Sequence, residues 1–421
     1  FHPAAKPRVA TPDPGALRIR WHYTLGFSAA PLTGSDPQDS PVGLAADTTA
    51  VYATSPTAQE LRALSVRDGS VLWRFGGDDA AGIAGIYGTY ILQASADRLF
   101  LLAEINTGSA LKLLCLEKAS GKLLWQSAAI GTSYNYSDLC IANGAVYFQN
   151  AGTLYGYSQD GHPLWPALPL FPFNENTSSS LPYSTPAFAN GMVYVGINNG
   201  GLIAVNATTG ALVWSATLAS TQSGFVSGLQ FSPAVANGLV YVGATDGYVH
   251  ALDAATGAAR WKTKVVNLGQ VTDEYGFLGA PLVSGGVVYV QPGLTDGTAT
   301  LGGTLCALQA TSGKLLWQVD PSKLPLLPHI ADVGVYPNIQ PATMSGGNVY
   351  WTVTLLPTDT NQVGAQALIG LHPQDGSLQS YFLSPISGIS SGNVAFPSPP
   401  VPVPGGLALL NNTPALYVLD T

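Results

Sequence analysis

The chain has 421 residues, of which only 10% are charged, and its formal net charge is −8. Its 16 Lys and Arg residues are scattered, whereas a nucleic-acid surface needs a basic cluster, so nucleic acid is not an expected partner. No apolar run approaches the ~18 residues of a membrane-spanning helix. The 48 Gly and 31 Pro residues instead favour many short strands joined by turns.

The first fourteen residues contain four Pro and are predicted to form an arm, residues 1–14, that lies along a surface of this protein or of a neighbour. The chain starts at Phe1, without Met and without a signal-like apolar segment. We therefore expect that a leader has been removed and that the protein is exported to the periplasm, the cell surface or the extracellular space. A trimmed chain is the alternative explanation.

One short motif recurs from end to end: a Gly, three residues, and then a Trp. A related copy near the start has a longer lead and ends at Trp21, and a degenerate copy after Gly376 has Phe382 in place of Trp. The six full copies pair Gly69 with Trp73, Gly121 with Trp125, Gly161 with Trp165, Gly210 with Trp214, Gly257 with Trp261, and Gly313 with Trp317.

A second element precedes each copy: a small residue with Pro, a short strand, a Gly turn and Val-Tyr, as in residues 232–241. Each repeat is thus predicted to be a meander of four antiparallel strands. Eight such meanders bury their faces when they stack radially, which predicts an all-β, eight-bladed propeller over residues 15–421. The C-terminal strands lack a fourth partner and the strand around Trp21 supplies it, so pairing of the two termini closes the ring.

The repeat of residues 239–261, with Val-Tyr-Val-Gly, Asp-Gly, Ala-Leu-Asp-Ala-Ala-Thr-Gly and Trp, resembles that of the PQQ-like, or quinoprotein-dehydrogenase-like, propellers. The resemblance covers nearly the whole chain. It implies that one Trp of each repeat docks between neighbouring blades. A large aromatic side chain at the same position of every repeat agrees with that role. The residues concerned are Trp21, Trp73, Trp125, Trp165, Trp214, Trp261 and Trp317.

The resemblance implies two kinds of function. One branch of the family contains PQQ-dependent alcohol and sugar dehydrogenases, which use Ca²⁺ or a lanthanide, an Asp base and often a pair of adjacent Cys. This chain has only Cys115, Cys140 and Cys306, which we expect to be buried free thiols, and its best local candidates for metal ligands are residues 174–176 and 273–274. Its six His show no metal spacing. We therefore expect no catalytic residue, no metal and no cofactor, with a quinone enzyme as the alternative.

The other branch is non-catalytic and resembles BamB, whose members normally carry a lipidated N-terminal Cys; because the first Cys here is Cys115, we expect that anchor to be absent. We expect a protein-interaction or assembly scaffold that self-associates through its arm. Binding of carbohydrate is a further alternative. Function concentrates on loops, here residues 76–90, 127–138, 166–183, 215–231, 262–279, 319–339 and 383–397. Their aromatic and polar residues are the candidates for partner binding: Tyr134, Tyr136, Asp138, Phe173, Glu175, Asp273, Glu274, Tyr275, His329 and Asp332.

Overall fold

The computed structural model describes residues 16–25, 43–55, 60–76, 86–105, 111–131, 137–170, 184–197, 201–218, 232–244, 246–265, 280–291, 304–324, 326, 333–337, 341–357, 365–385, 399–410 and 415–421. This part of the chain is almost entirely β, with a single 3₁₀ turn at Pro321–Lys323. Its strands form eight separate antiparallel sheets, which are the blades of a propeller. The predicted fold class is confirmed.

In blades 1 to 6 the strands are connected in sequence as a meander, from an inner strand to an outer strand. The strands of blades 1 to 4 are β2 (Leu44–Ala46), β3 (Ala50–Ser55), β4 (Glu60–Ser65) and β5 (Val71–Gly76); β6 (Ile86–Ala94), β7 (Arg98–Ile105), β8 (Leu111–Glu117) and β9 (Leu123–Gln126); β10 (Cys140–Ala142), β11 (Ala145–Asn150), β12 (Thr153–Ser158) and β13 (Leu168–Pro169); β14 (Ala187–Ala189), β15 (Met192–Ile197), β16 (Gly201–Asn206) and β17 (Leu212–Thr217).

The remaining blades continue the same pattern. Blades 5 to 8 contain β18 (Ala234–Ala236), β19 (Leu239–Gly243), β20 (Tyr248–Asp253) and β21 (Ala259–Lys264); β22 (Leu282–Ser284), β23 (Val287–Val290), β24 (Leu305–Gln309) and β25 (Leu315–Val319); β26 (Val333–Pro337), β27 (Thr343–Ser345), β28 (Asn348–Pro357), β29 (Ala365–Leu371) and β30 (Leu378–Pro385); β31 (Val401–Val403), β32 (Gly406–Leu410), β33 (Ala415–Asp420) and β1 (Arg18–Thr24).

The ring closes by pairing of the two ends of the chain. Strand β1 pairs antiparallel with β33, so that blade 8 takes three strands from the C-terminus and its outer strand from the N-terminal region. A further link joins blade 8 to blade 7, because the backbone N–H of Leu17 donates to the carbonyl of Tyr381 at 2.8 Å. Closure by the termini, as predicted, leaves no free end in the ring.

Two blades depart from the predicted four strands with a Trp in the outer one. In blade 3 the outer strand β13 has only two residues, and Trp165 lies in the bend before it. Pro163, Pro166 and Pro169 deprive this segment of backbone donors and keep the strand short. In blade 7 the ten-residue strand β28 pairs with both β26 and β27, which gives five strands.

Neighbouring blades are joined by the repeat tryptophans. Each of the seven donates its indole N–H to a backbone carbonyl in the turn before the outer strand of the next blade, at 2.8–3.1 Å. The donor and acceptor pairs are Trp21 and Val66, Trp73 and Lys118, Trp125 and Gln159, Trp165 and Ala207, Trp214 and Ala254, Trp261 and Ala310, and Trp317 and Pro373.

Each docked ring covers the Gly of that same turn, where a side chain would collide. Gly257, for example, has φ of +73°, and a Cβ built on it would lie 2.7 Å from Cε3 of Trp214. In this junction the hydroxyl of Tyr194 also donates to the carbonyl of Ala254, at 3.1 Å. The repeated Gly and Trp are therefore two halves of one contact, and they hold the blades in a rigid ring.

Candidate functional site at the mouth of the central channel

The first strand of each blade lies nearest the axis of the ring. Contacts between neighbouring blades join first strands to one another, as for β2 with β6, β14 with β18, and β31 with β2. These inner strands line the central channel and carry no Asp, Glu, Lys, Arg or His; in chain order they are Leu-Ala-Ala, Ile-Tyr-Gly-Thr-Tyr-Ile-Leu-Gln-Ala, Cys-Ile-Ala, Ala-Phe-Ala, Ala-Val-Ala, Leu-Val-Ser, Thr-Met-Ser and Val-Pro-Val. The described wall of the channel is thus uncharged.

Strand register identifies an equivalent residue in each blade at the mouth of this channel. The inner strand of each blade places one residue opposite the Tyr or its counterpart in the second strand, as Ala187 lies opposite Tyr194. The position two residues before this paired residue is where the chain enters the inner strand. We call these eight positions the mouth ring: Gly43, Ile91, Asp138, Thr185, Ser232, Ala280, Pro341 and Pro399 in blades 1 to 8.

The mouth ring is polar over three consecutive blades and apolar over the other five. Blades 3, 4 and 5 contribute Asp138, Thr185 and Ser232, and the remaining positions have Gly, Ile, Ala or Pro. One arc of the mouth is therefore able to form hydrogen bonds through side chains, and the rest is not.

A buried Ser holds Asp138 in place. Ser137, which is 2% exposed, accepts a hydrogen bond from the backbone N–H of Gln149 at 2.8 Å and donates to the carbonyl of Asp138 at 2.9 Å. Ser184 does the equivalent in blade 4, where it accepts from the N–H of Gly196 at 2.9 Å. Because both anchors join the chain to the second strand of its own blade, the backbone at this arc is fixed by the sheets.

The three polar residues are also linked from blade to blade. The backbone N–H of Asp138 donates to Oγ1 of Thr185 at 3.0 Å, and the N–H of Thr185 donates to Oγ of Ser232 at 3.1 Å. Each hydroxyl accepts one bond and keeps its own proton to donate. No group in the described part of the chain accepts either proton.

The electrostatics of the arc depend on Asp138. Its side chain is exposed, while those of Ser137 and Leu139 on either side are buried. Solvent reaches the carboxylate, but at the mouth of the channel protein replaces much of the surrounding water. This loss of hydration raises the pKa of the Asp138 carboxyl above its ordinary value. Among the described residues no cation and no donor contacts its carboxylate oxygens.

The described residues do not fit a quinone and metal centre. A hard cation needs several oxygen ligands that converge on one point, and in the described ranges no group of three or more His, Cys, Asp or Glu could hold a metal ion. The mouth ring offers a single carboxylate.

Of the ten loop residues predicted to bind a partner, only Asp138 lies within the described part of the chain, and the structure brings it together with Thr185 and Ser232. The other nine lie outside the described residues: Tyr134, Tyr136, Phe173, Glu175, Asp273, Glu274, Tyr275, His329 and Asp332. The sequence analysis missed Thr185 and Ser232, although each is the small residue before Pro that opens its repeat. That recurrence was the signal available for finding them.

One of the three thiols, Cys140, begins strand β10 two residues after Asp138 and is only partly buried, not buried as expected, whereas Cys115 and Cys306 are buried in the third strands of blades 2 and 6. Cys115, Cys140 and Cys306 are free, and burial raises the pKa of their thiols to about 11, about 11 and about 12. His250 is 7% exposed, and its Nε2 lies 3.0 Å from a carboxylate oxygen of Asp246, which satisfies the buried ring. In the part of the chain that the structure describes, no helix has the length and apolarity to cross a membrane.

The repeat, the ring and its closure can be compared with known proteins. A family model described as outer membrane protein assembly factor BamB matches residues 57–228 and 222–380. The chain belongs to this family. No curated protein matches the sequence.

Solved structures share the fold at low sequence identity. BamB from Moraxella catarrhalis is 15% identical with a TM-score of 0.59, covering 96% of this chain and 98% of that one. The computationally designed Ika8 protein is 15% identical with a TM-score of 0.58, covering 91% and 96%. The quinohemoprotein alcohol dehydrogenase ADHIIG from Pseudomonas putida HK5 is 14% identical with a TM-score of 0.57, covering 96% and 76%. These similarities establish the propeller fold.

Proposed function

We propose that the protein is a non-catalytic scaffold, exported to the cell envelope or beyond, that binds a protein partner at the mouth of its channel and works without a cofactor. The observation that carries the proposal is the uncharged inner wall: none of the eight inner strands supplies a carboxylate, a cation or an imidazole. A catalytic site would need such groups to converge on a substrate or a metal.

Two further observations support a binding role. The Trp and Gly contacts between blades make a rigid ring, and rigid scaffolds present loops for recognition. The family model that matches is described as outer membrane protein assembly factor BamB, and the Moraxella catarrhalis protein with the same fold is a BamB. The polar arc of the mouth ring gives a partner hydrogen-bonding groups beside apolar surface, which is how recognition surfaces are built.

Site-specific photo-crosslinking in the producing cell tests the proposal. A photoreactive phenylalanine in place of Thr185 lies on the mouth ring, and one in place of Leu212, which is 62% exposed on the outer strand β17, is the matched control. We expect discrete adducts from the Thr185 position and none from the Leu212 position. Adducts from Leu212 alone would overturn the assignment of the surface.

A quinone-dependent alcohol or sugar dehydrogenase is the second candidate, and one observation favours it. Asp138 is a carboxylate with a raised pKa at the channel mouth, and a raised pKa suits a general base. This candidate predicts dye-linked alcohol oxidation when PQQ is added with Ca²⁺ or a lanthanide ion. The scaffold proposal predicts no turnover under the same conditions.

A further inference from the structure

The segments that lead to the mouth ring account for the net negative charge of the protein. Each starts at the end of an outer strand and finishes at the inner strand of the next blade, so all eight begin and end at one face. Together they contain a single basic residue, Lys323, and ten acidic ones: Asp36, Asp39, Asp78, Asp79, Asp138, Glu175, Asp273, Glu274, Asp320 and Asp332.

The charge of the chain is therefore strongly asymmetric. These connections hold a net charge of −9, while the rest of the chain, with 14 acidic and 15 basic residues, holds +1. A surface with one sign of charge attracts partners of the opposite sign and raises their rate of association. Because both ends of each connection lie beside the mouth ring, the net charge of these segments favours a cationic partner there.

Asp138 gives this charge a defined position. Its carboxylate is exposed on the mouth ring, and no described cation contacts it. Thr185 and Ser232 on the next two blades each keep a hydroxyl proton for which no described group is the acceptor. One carboxylate followed by two hydroxyl donors matches a side-chain cation followed by backbone carbonyls in an extended peptide.

We propose that a protein segment carrying Arg or Lys docks across blades 3 to 5 of the mouth ring, where its cation pairs with Asp138 and its carbonyls accept from Thr185 and Ser232. This proposal rests on the scaffold function and names the chemistry of the partner. The partly exposed apolar positions of the ring, such as Ala280 and Pro341, would contact the apolar side chains of the same segment.

A raised pKa makes the pairing sensitive to pH. The ionised carboxylate binds the cation, so affinity is lost as the pH falls through the pKa of Asp138, which loss of hydration raises above its ordinary value. Strand β10, which follows Asp138, begins with Cys140, whose thiol pKa of about 11 keeps it neutral across that window. The described residues that precede the inner strands of blades 4 and 5, which include Thr185 and Ser232, contain no titratable side chain.

Fluorescence anisotropy with a labelled peptide of four alternating Arg and Val pairs tests the proposal, using the full chain in roughly physiological salt. We expect saturable binding to the wild type and about tenfold weaker binding to Asp138→Asn. Asp97→Asn is the matched control, because Asp97 is an exposed acid with a 74% exposed side chain in a turn at the opposite end of its blade. It is expected to bind as the wild type does, and a peptide with Glu in place of Arg is expected not to bind.

The proposal is overturned if no Arg peptide binds, if Asp138→Asn binds as tightly as the wild type, if both variants lose affinity equally, or if the Glu peptide binds equally well. Wild-type affinity should also fall at acidic pH by a step that Asp138→Asn lacks. An assay of dye-linked oxidation with PQQ and Ca²⁺ distinguishes failure of the scaffold function from failure of the cationic partner. Turnover in that assay refutes the scaffold function itself, while loss of peptide binding without turnover refutes only the cationic partner.

Discussion

The contact between blades 4 and 5 can be tested by adding a single methyl group. In Gly257→Ala the new Cβ would lie 2.7 Å and 2.8 Å from ring atoms of Trp214, and the residue would keep a φ of +73°. The left-handed backbone costs an L-residue about 1–2 kcal/mol. Displacing a ring that is 8% exposed costs about 1–3 kcal/mol more through overpacking. The variant should therefore lose about 2–5 kcal/mol of unfolding free energy.

Gly238 in the same blade is the matched control, because it has φ of +75° and a Cβ added to it would meet no heavy atom within 4 Å. Gly238→Ala should cost only the backbone term, about 1–2 kcal/mol. Urea denaturation of both variants measures the difference. In a Trp214→Ala background the extra cost of Gly257→Ala should disappear, as a double-mutant cycle would show. Equal losses in the two Ala variants would refute the view that Trp214 and Gly257 form one packed contact.

Three other predictions concern charge and the arm. Asp138→Asn should stabilise the protein at pH 7 and not at pH 3, because the cost of the raised carboxyl pKa is absent below the ordinary carboxyl pKa, grows as the pH rises towards the raised pKa of Asp138, and is complete above it. Urea denaturation at the two pH values checks this, and equal stability of wild type and variant at pH 7 would contradict it. Burial opposes the charge of Asp47, but the N–H groups of Thr49 and Ala50 and the Lys118 ammonium hold its pKa well below the usual range. Wild type should therefore lose stability as the pH falls below about 4, and Asp47→Asn should lose less over the same window in acid denaturation. Deletion of residues 1–14 should convert a self-associated species to a monomer in light scattering, and monomers in both cases would contradict self-association.

The blades could be predicted from the sequence because each depends on a local pattern. A Gly four residues before a Trp, as at Gly257 and Trp261, sets a turn and an anchor within one repeat, and eight copies define the ring. Closure of the ring could be predicted because the C-terminal strands lack a fourth partner and the strand around Trp21 supplies it. These features repeat, so each copy supports the others.

Strands without the repeated signals were missed. Strand β26, Val-Gly-Val-Tyr-Pro, lies inside a predicted loop, since its alternation is short and no small residue with Pro stands directly before it. Part of β6 (Ile86–Ala94) also lies in a predicted loop for the same reason. Local patterns predict β structure only when turn residues mark their ends.

The polar arc could not be predicted because it depends on contacts between blades. Asp138 and Thr185 are 47 residues apart, as are Thr185 and Ser232, and the hydrogen bonds that link them follow from the register of three sheets. Asp138 could be predicted from its loop and its charge. The positions of Thr185 and Ser232 beside it depend on how three blades are placed around one axis, which no local pattern encodes.

A titration of the purified full chain with PQQ and Ca²⁺, followed by the absorbance of the quinone, tests the central claim most directly. A scaffold whose inner strands carry no charged side chain and whose mouth ring has one carboxylate should give no saturable spectral change. Saturable binding of one quinone per chain would contradict the scaffold and assign the channel to a cofactor.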